Sequence, residues 1–446
     1  METPSVRYTR VGKASVAFQT LGEGPDLIFH LGWPSHLDLL WEHPAVSRFF
    51  HSLSSFCRLI LFDHRGTGLS DRGPMRRTTD DWLDDIGGVL DAVGSRRAAL
   101  FAGHLSGRVA LLFAATRPDR ISAIATFGSH PTTFKDEPDY PWGTTRDVYS
   151  QLLSQLRSPY ESDGPMAHLF GHIAPSVGKD PDGVRWWTRL SRAANSPAEL
   201  VCSLKSIPDL DIRSLLPTVR VPVLLLHSKG DRMSDVNASR YMAERLPNGR
   251  LLELPGADHL PFFEAQDTVL AELRGFLGVD LPVPDATRQL ATVMFTDIVD
   301  STDRAQRLGD RGWQDVLESH NEIVARQVRR FAARFVKSTG DGVLATFDSP
   351  IRALRCSGAI QHELRPLDID IRTGIHAGEI EIIGDDIMGI AVHIAQRVQS
   401  TAEPGEVLVS STVKDLSTGS PVRFTDRGVR RLKGIPEPWR LFMAAV

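Results

Sequence analysis

Cysteine is scarce in this sequence. Among its 446 residues there are three cysteines, Cys57, Cys202 and Cys356. They are far apart in the chain, odd in number and match no metal-binding spacing, which argues against a disulfide framework and against a cysteine zinc site. We expect buried thiols in a reducing compartment, and therefore a cytoplasmic protein.

Long apolar runs and a large excess of charge are also missing. No apolar run approaches the ~18 residues that a membrane-spanning helix needs, and the first residues lack the apolar stretch of a signal peptide. The formal net charge is -4, which gives no general electrostatic case for binding nucleic acid or an anionic membrane surface. We therefore expect neither nucleic acid nor membrane as a partner.

The length and composition are those of a multidomain globular protein. Hydrophobic residues make up 41% and charged residues 24% of the chain, which is typical of soluble domains. The length predicts two or three domains. The stretch 281–289 has two prolines and no periodicity, and we interpret it as a linker between a domain at 1–280 and another at 290–446.

In the first domain, short apolar runs alternate with amphipathic stretches. The runs are Leu27–His30, Leu59–Asp63, Ala98–Ala102, Ala123–Phe127 and Val223–His227. Each is rich in aliphatic or aromatic residues and ends at or before Gly, Asp or His, as buried parallel strands do. The pattern predicts an α/β doubly wound sheet. The segment from about 131 to 215 breaks this rhythm with Pro, Trp and helix-like sequence, which predicts an inserted helical cap.

The second domain has a different order of elements. The pattern predicts strands at Leu290–Phe295, on both sides of a turn at Gly340–Gly342, and at Ile369–Ile375, Glu379–Ile383, Val407–Ser410 and Arg440–Ala444. Predicted helices run up to Arg334, from Pro350 to Leu364 and from Gly389 to Ser400. The resulting β-α-β-β-α-β order predicts a ferredoxin-like α+β core with extensions.

Two acidic residues stand where strands of this second domain end. Asp297 closes the run Val-Met-Phe-Thr-Asp, and Asp341 lies in the tight turn Thr-Gly-Asp-Gly. The first strand and the following hairpin are neighbours in a ferredoxin-like core, so both carboxylates can point at one spot. Such a pair suits Mg²⁺, and two ions could activate a hydroxyl and neutralise a leaving pyrophosphate. Taken alone, either Asp could equally be a turn residue or a helix cap.

Three segments carry a more specific signal. They read FTDIVDST at 295–302, KSTGDG at 337–342 and RTGIHAG at 372–378. In order and spacing they resemble the signatures of class III nucleotidyl cyclases, from about Arg288 to the last residue. The resemblance implies an adenylate cyclase that converts ATP to 3′,5′-cyclic AMP and pyrophosphate for intracellular signalling, with two Mg²⁺ or Mn²⁺ ions per active site.

The same resemblance assigns residues to the metal ions and the purine. Asp297 and Asp341 match the metal-binding aspartates, and the carbonyl of Ile298 is an additional expected ligand. Lys337 and Asp386 match the pair that selects the purine. One donor and one acceptor fit the N1 acceptor and the amino donor of adenine, whereas guanylate cyclases typically carry Glu and a small polar residue at these positions.

The remaining assigned residues concern the ribose and the phosphates. Arg397 matches the arginine that stabilises charge developing on the α-phosphate, and Lys433 matches a lysine that binds the terminal phosphates. His393 stands where the family usually has Asn, on the same helix face as Arg397, so it either takes over the hydrogen bonding of that Asn or marks a weakened site. In this family the metal-binding aspartates come from one subunit, and the purine-selecting pair, the arginine and the lysine come from the other. The resemblance therefore implies a homodimer with shared active sites.

The first domain resembles the α/β-hydrolase family. Residues 63–71, DHRGTGLSD, resemble its D-x-R-G-x-G-x-S motif, and residues 30–33, HLGW, follow a strand where the family builds its oxyanion loop. Asp231 matches the triad acid and His259 the triad base. Residues 103–107, GHLSG, match the nucleophile elbow G-x-S-x-G and place Leu105 at the nucleophile position.

Leucine cannot attack a carbonyl, and Ser106 stands in the wrong frame to replace it. We therefore expect a vestigial hydrolase site at Leu105, Asp231 and His259 in a regulatory domain. Asp231 and His259 are either inherited remnants or line a pocket for a small apolar or ester-like ligand. Three alternatives stay open: an esterase with a degenerate cyclase domain, a ligand-binding pseudoenzyme, and a first domain that serves mainly for dimerisation.

Overall fold

The computed structural model describes residues 3–30, 32, 34–72, 78–135, 139–155, 163–278, 288–383 and 386–446, without the side chains of 152, 155, 163–166 and 206. The chain divides into two compact units, Met1–Pro284 and Asp285–Val446. Leu31 and Trp33 of the predicted oxyanion loop, and residues 281–287 of the predicted linker, lie outside the described residues. Within the described ranges, no helix is long and apolar enough to cross a membrane.

The first unit is built on a mixed sheet. Its strands within the described residues are β1 (Arg7–Val11), β2 (Ala14–Leu21), β3 (Asp26–His30), β4 (Arg58–Asp63), β5 (Ala98–Gly103), β6 (Ile121–Phe127), β7 (Val223–Ser228) and β8 (Gly249–Leu254). They lie in the order β1-β2-β4-β3-β5-β6-β7-β8. The pairs from β4 to β8 are parallel, and only β1 and β2 add antiparallel pairs. The predicted doubly wound α/β sheet is confirmed.

Helices connect these strands. They are α1 (Leu37–Leu40), α2 (Pro44–Ser54), α3 (Thr79–Ala92), α4 (Leu105–Thr116), α5 (Arg146–Gln155), α6 (Asp163–Ile173), α7 (Pro181–Ala194), α8 (Pro197–Ser206), α9 (Val236–Arg245) and α10 (Gln266–Leu277). Strands β5 and β7 are buried along their whole length, which explains their uninterrupted apolar sequence. Helices α5 to α8 form one run of consecutive helices between β6 and β7.

The second unit has its own mixed sheet. Its strands within the described ranges are β9 (Arg288–Ile298), β10 (Arg334–Ser338), β11 (Gly342–Phe347), β12 (Ile371–Ile383), β13 (Asp386–Met388), β14 (Val407–Ser410), β15 (Arg423–Arg431) and β16 (Pro438–Ala445). They lie in the order β10-β11-β9-β12-β14-β16-β15, and β13 pairs with β12 alone. Its helices are α11 (Ser301–Arg330), α12 (Pro350–Leu364), α13 (Ile390–Gln399) and α14 (Ser411–Leu416). The β9-α11-β10-β11-α12-β12 part confirms the ferredoxin-like core.

One predicted break in this sheet does not exist. The two strands expected at Ile369–Ile375 and Glu379–Ile383 are the single strand β12, which pairs with β9 from Ile371 to Glu381. Two glycines of β12 allow a close contact with the neighbouring helix. A side chain on Gly374 would overlap the backbone of Gln399, and a Cβ on Gly378 would lie 2.8 Å from the Cβ of Ala391. Both glycines therefore let α13 approach the face of β12.

Candidate functional site

The first group of interest in the second unit is a pair of carboxylates. Asp297 lies near the end of β9, and Asp341 lies in the turn between β10 and β11. Gly342 pairs directly with Asp297, and the amide of Ile298 donates a hydrogen bond to the carbonyl of Asp341 at 3.3 Å. The turn requires the positive φ of 88° at Gly340. Strand register thus brings together two side chains that are far apart in the sequence.

Asp341 acts electrostatically on Asp297. Burial, and then the charge and hydrogen bond of Asp341, raise the pKa of Asp297 to about 6. Arg372, which pairs with Asp297 across β12 and β9, works in the opposite direction, as does a hydrogen bond from Gln399. Two half-buried carboxylates that resist carrying two negative charges are stabilised by a cation between them.

A second pair forms between Lys337 of β10 and Asp386 of β13. The Nζ atom of Lys337 lies 2.5 Å from Oδ2 of Asp386, and both side chains are about half exposed. The hydrogen bond from Lys337 lowers the pKa of Asp386. The pair therefore presents one cationic donor and one anionic acceptor side by side at the surface.

Helix α13 carries the third group. Ala391, Ile394, Ala395 and Val398 bury one side of this helix, whereas His393 is exposed and Arg397 partly exposed, one turn apart on the other side. Lys433 is exposed in the turn between β15 and β16. Among the described contacts, no hydrogen bond or ion pair within the chain joins Arg397 or Lys433 to the carboxylate pair.

In the first unit, an acid and a histidine are preassembled. The Nδ1 atom of His259 lies 2.6 Å from Oδ2 of Asp231, and the amides of Met233 and Ser234 donate to Oδ1 of the same carboxylate. Burial raises the pKa of Asp231, but His259, His227 and these hydrogen bonds together hold it below its ordinary value. Asp231 is therefore an ionised carboxylate that orients the His259 ring.

A sharp turn joins β5 to α4 beside this pair. His104 makes the turn with φ 47° and ψ −123°, a conformation that costs a non-glycine residue about 1–3 kcal/mol. Its ring lies 4.7 Å from the ring of His259 and 5.0 Å from that of His130, measured between centroids. Burial lowers the pKa values of His104 and His130 well below the ordinary value. Both rings are therefore neutral.

These histidines lie at the edge of a large cavity. It has a volume of ≈ 1350 Å³, and its lining includes His104, His130 and Asp231. Within the described residues, the Nδ1 atom of His104 and the Nε2 atom of His259 are buried without a hydrogen-bond partner. Buried polar atoms of this kind are rare in folded proteins and commonly mark a binding site or a catalytic group.

Comparison with known proteins assigns both units to families. The model of the alpha/beta hydrolase fold family matches residues 25–266, which is more than half of the chain. The chain belongs to the alpha/beta hydrolase fold family. A second model, of the adenylate and guanylate cyclase catalytic domain, matches residues 283–444. The second unit is a class III cyclase catalytic domain.

Individual relatives agree with this division. A pimeloyl-[acyl-carrier protein] methyl ester esterase of Nitrosomonas europaea is 29% identical over 255 residues, which is 56% of this chain and 94% of the relative. A Rhizobium meliloti protein described as a candidate adenylate cyclase 3 is 28% identical over 160 residues. The match covers 34% of this chain but only 27% of the relative. An esterase structure from Exiguobacterium antarcticum superimposes with a TM-score of 0.55 at 20% identity, covering 62% of this chain and 100% of the esterase, which shows the fold.

The geometry of the hydrolase domain corrects one sequence interpretation. Leu105 does not occupy the elbow, because it is the first residue of α4. The residue with the strained elbow conformation, beside His259, is His104. The error came from aligning the elbow on its glycines at 103 and 107, whereas the backbone turns one residue earlier, between the end of β5 at Gly103 and the start of α4 at Leu105. Gly107 instead lets α4 approach the segment that follows β6, since a side chain there would overlap that of Ser129.

The cyclase domain supplies few metal ligands of its own. Among the described residues, no group of three or more His, Cys, Asp or Glu side chains could hold a metal ion. Asp297 and Asp341 with the neighbouring carbonyl of Ile298 nevertheless fit Mg²⁺, which keeps several waters and shares substrate phosphate oxygens. Arg372 and Gln399, which act on Asp297, were not singled out from the sequence, although Arg372 opens the RTGIHAG segment.

Proposed function

We propose that the cyclase domain converts ATP to 3′,5′-cyclic AMP and pyrophosphate, with two Mg²⁺ or Mn²⁺ ions per active site. The observation that carries this proposal is that one chain forms both the Asp297–Asp341 pair and the Lys337–Asp386 pair. The first is a cation site and the second is a donor–acceptor pair. A nucleoside triphosphate with bound divalent cations is a ligand that would satisfy both.

Lys337 and Asp386 would favour adenine over guanine. The Lys337 ammonium can donate to N1 of adenine, and the Asp386 carboxylate can accept from its amino group. Guanine presents a donor at N1 and an acceptor at O6, so it would meet the pair with the wrong polarity. The pair is half exposed, with each residue bound to the other, so a purine would replace that mutual contact.

The other assigned residues would act on the ribose and the phosphates. When bound, the metal ions would lower the pKa of the ribose 3′-hydroxyl and neutralise the triphosphate. Arg397 would donate to the α-phosphate as charge develops there, and Lys433 would bind the terminal phosphates. His393 lies one turn before Arg397 and would donate a hydrogen bond to the ribose or the α-phosphate.

We propose a homodimer in which the aspartates of one subunit face the Lys337–Asp386 pair, Arg397 and Lys433 of the other. Exposed apolar side chains support this arrangement. Met388 and Ile390 flank the start of α13, and both are 58% exposed, while Val429 of β15 is 61% exposed. Apolar groups grouped around functional residues are typical of surfaces that bind another protein, and a second copy would cover them.

We propose that the hydrolase-fold domain is regulatory and not an esterase. Several relatives of this domain are pimeloyl-[acyl-carrier protein] methyl ester esterases, so esterase activity is the second candidate function. The residue at the elbow argues against it, since a neutral His104 stands where a serine would attack. A ligand-binding pseudoenzyme remains the third candidate. Free thiols at Cys57, Cys202 and Cys356 support a cytoplasmic location.

The test is to incubate the purified full chain with ATP or GTP and with either Mg²⁺ or Mn²⁺, and to identify products by mass spectrometry. We expect cyclic AMP in clear excess over cyclic GMP. Cyclic GMP as the main product would contradict the assignment of Lys337 and Asp386. If neither cyclic nucleotide forms with either metal, the cyclase proposal is wrong.

A further inference from the structure

The cavity of the hydrolase-fold domain has a largely apolar wall. Tyr140, Trp142 and Tyr149 line it together with Leu169 and Met233. Its volume of ≈ 1350 Å³ exceeds the several hundred Å³ that a small ligand typically fills. A wall of this kind binds the hydrocarbon or aromatic part of a ligand. The polar groups of the cavity determine which polar end group that ligand carries.

A buried cation lies behind the polar end of the cavity. Arg108 of α4 has no solvent exposure, and its guanidinium donates to the carbonyl of Leu210 at 2.6 Å and to the hydroxyl of Thr133 at 3.0 Å. Within the described residues it has no carboxylate at ion-pair distance, and its Nε has no partner. Burial lowers the pKa of Arg108 only to about 10, so the group stays charged at neutral pH. A buried charge without a counter-ion is costly.

Side chains that line the cavity near Arg108 can donate hydrogen bonds to a ligand. Thr133 lines the cavity and accepts the hydrogen bond from Arg108, so its own hydroxyl proton is available for a ligand. His104 and His130 line the same region, and each neutral ring can donate one N–H. Three donors therefore line the cavity beside the buried cation, and donors of this kind bind a carboxylate through charge-assisted hydrogen bonds.

Cationic side chains outnumber the acidic ones in the lining of the cavity. Asp231 is held by His259 and two backbone amides, and Asp235 caps α9 by accepting from the amide of Asn237. The lining also contains the cations Lys135, Lys229 and Arg232. The balance of charge favours an anion over a neutral ester or an alcohol.

We propose that the hydrolase-fold domain binds a carboxylic acid with an apolar body, its carboxylate at His104, His130 and Thr133 and its apolar part against the aromatic wall, without chemical conversion. The ligand resembles the acid product of an ester hydrolase and not its substrate. Binding of this acid is a property of one domain and is measured directly. Its failure and a failure of the proposed cyclase activity can therefore be told apart.

The test is isothermal titration calorimetry of the full chain at neutral pH with four probes of equal chain length: octanoate, octanol, methyl octanoate and octyl phosphate. We expect about one octanoate per chain, bound at least about tenfold more tightly than octanol or methyl octanoate, because a charge-assisted hydrogen bond contributes roughly that factor. Methyl octanoate should be recovered unchanged.

Variants locate the site. His104→Leu and Thr133→Val each remove a donor at nearly constant volume and should weaken octanoate binding about tenfold, with little effect on methyl octanoate. Val148→Trp, at a cavity-lining position that is 56% exposed, should weaken all probes by filling space. His362→Leu, at an exposed position of the cyclase domain, is the matched control and should leave every affinity unchanged. Circular dichroism checks that each variant is folded.

Four results would overturn the proposal. Binding of octanol or methyl octanoate as tight as that of octanoate would remove the role of charge. Tenfold tighter binding of octyl phosphate would assign the site to phosphate esters. Hydrolysis of methyl octanoate by the parent protein would make the domain an esterase. Absence of binding by octanoate, dodecanoate and 4-phenylbutanoate up to about 1 mM would exclude the whole ligand class.

Discussion

The side chain at one backbone turn decides what the hydrolase-fold domain can do. His104 occupies the strained elbow between β5 and α4, within ring contact of His259. Its neutral imidazole stands where the attacking oxygen of a hydrolase would be. The acid and base partners are nevertheless intact, since Asp231 and His259 are 2.6 Å apart. An aspartate–histidine pair thus lies beside the elbow, and the residue at the elbow carries no hydroxyl group.

This arrangement predicts how esterase activity could be installed. His104→Ser should give hydrolysis of p-nitrophenyl butyrate at least about tenfold above the parent, because the new hydroxyl would lie beside the Asp231–His259 pair. Leu105→Ser should stay at the parent level, since position 105 is the first residue of α4. Release of p-nitrophenol is the measurement. Activity in Leu105→Ser but not in His104→Ser would show that residue 105, and not residue 104, occupies the nucleophile position.

Substitution of Asp297 should have opposite effects on catalytic activity and on stability. Asp297→Asn removes a proposed metal ligand and should lower cyclase activity by about 100-fold or more. Above pH 6 and in the presence of EDTA, the same variant should have a higher melting temperature than the parent. The pKa of Asp297 is raised from 3.8 to about 6 in the folded chain, so the folded state binds this proton more tightly than the unfolded state does.

The sign of the pH dependence follows from that difference. Stability of the metal-free parent should fall as the pH rises from about 4 to about 6, and Asp297→Asn should lack this fall. Calorimetry in EDTA at several pH values checks it, with Asp310→Asn, an exposed position of α11, as the control. Equal melting temperatures of Asp297→Asn and parent above pH 6 would contradict the repulsion between Asp297 and Asp341.

His393 is the residue at which this chain leaves the usual cyclase pattern. His393→Asn should retain or increase activity, because Asn is the group that this helix face carries in the family. His393→Ala should lose about 10- to 100-fold, if one hydrogen bond to the transition state is lost. Rates of cyclic AMP formation measure both. A parent-like rate in His393→Ala would show that the site works without this contact.

At the scale of elements, the contact between β12 and α13 links the fold to the site. Gly374→Ala should lower the free energy of unfolding by roughly 2–4 kcal/mol or displace α13, because the new side chain overlaps the backbone of Gln399. Displacement would move His393 and Arg397, so activity should fall as well.

The control is Gly275→Ala in α10, where a side chain would have nothing within 4 Å. That substitution should raise stability by about 0.5–1 kcal/mol, as Ala does in a helix interior. Chemical denaturation of both variants is the measurement. If Gly374→Ala is as stable and active as the parent, then α13 does not need the close approach that the structure shows.

Elements were predictable where burial imposes a pattern. Strands β5 and β7 are buried throughout and read as apolar runs. Strand β15, with the sequence RFTDRGVRR, was not predicted, because it is an edge strand with mostly exposed residues and no alternation of apolar and polar positions. Two strands are predicted where β12 is continuous. Glycine within a strand marks either a turn or a close neighbour, and the sequence does not distinguish the two.

At the scale of the whole molecule, the shared-site dimer predicts complementation. Asp341→Ala and Arg397→Ala proteins should each be inactive, and a mixture should regain up to about a quarter of the parent activity. Half of the dimers formed by random exchange are mixed, and each mixed dimer has one site with both halves intact. Cyclic AMP formation after mixing is the measurement. No recovery, in samples where native mass spectrometry finds mixed dimers, would contradict sites shared between subunits.

The sequence by itself determined the families of the two domains and the cyclase residues to examine. It could do so because these signals are local: a motif of six to eight residues, the spacing of apolar positions, or a turn that needs glycine. The aspartates at 297 and 341 and the lysine at 337 were each found within such short segments.

Only the tertiary structure decided how these residues contact one another within one chain and which residue stands at the elbow. Lys337 and Asp386 are 49 positions apart, and their contact depends on how β10 and β13 are placed in the sheet. The elbow falls on His104 because β5 ends at Gly103 and α4 begins at Leu105, one residue away from the register that the glycines suggested. The buried Arg108 and the cavity beside it were likewise invisible in the sequence. Contacts between distant residues depend on strand register and close packing, and a difference of one residue in register reverses which side chains face a site.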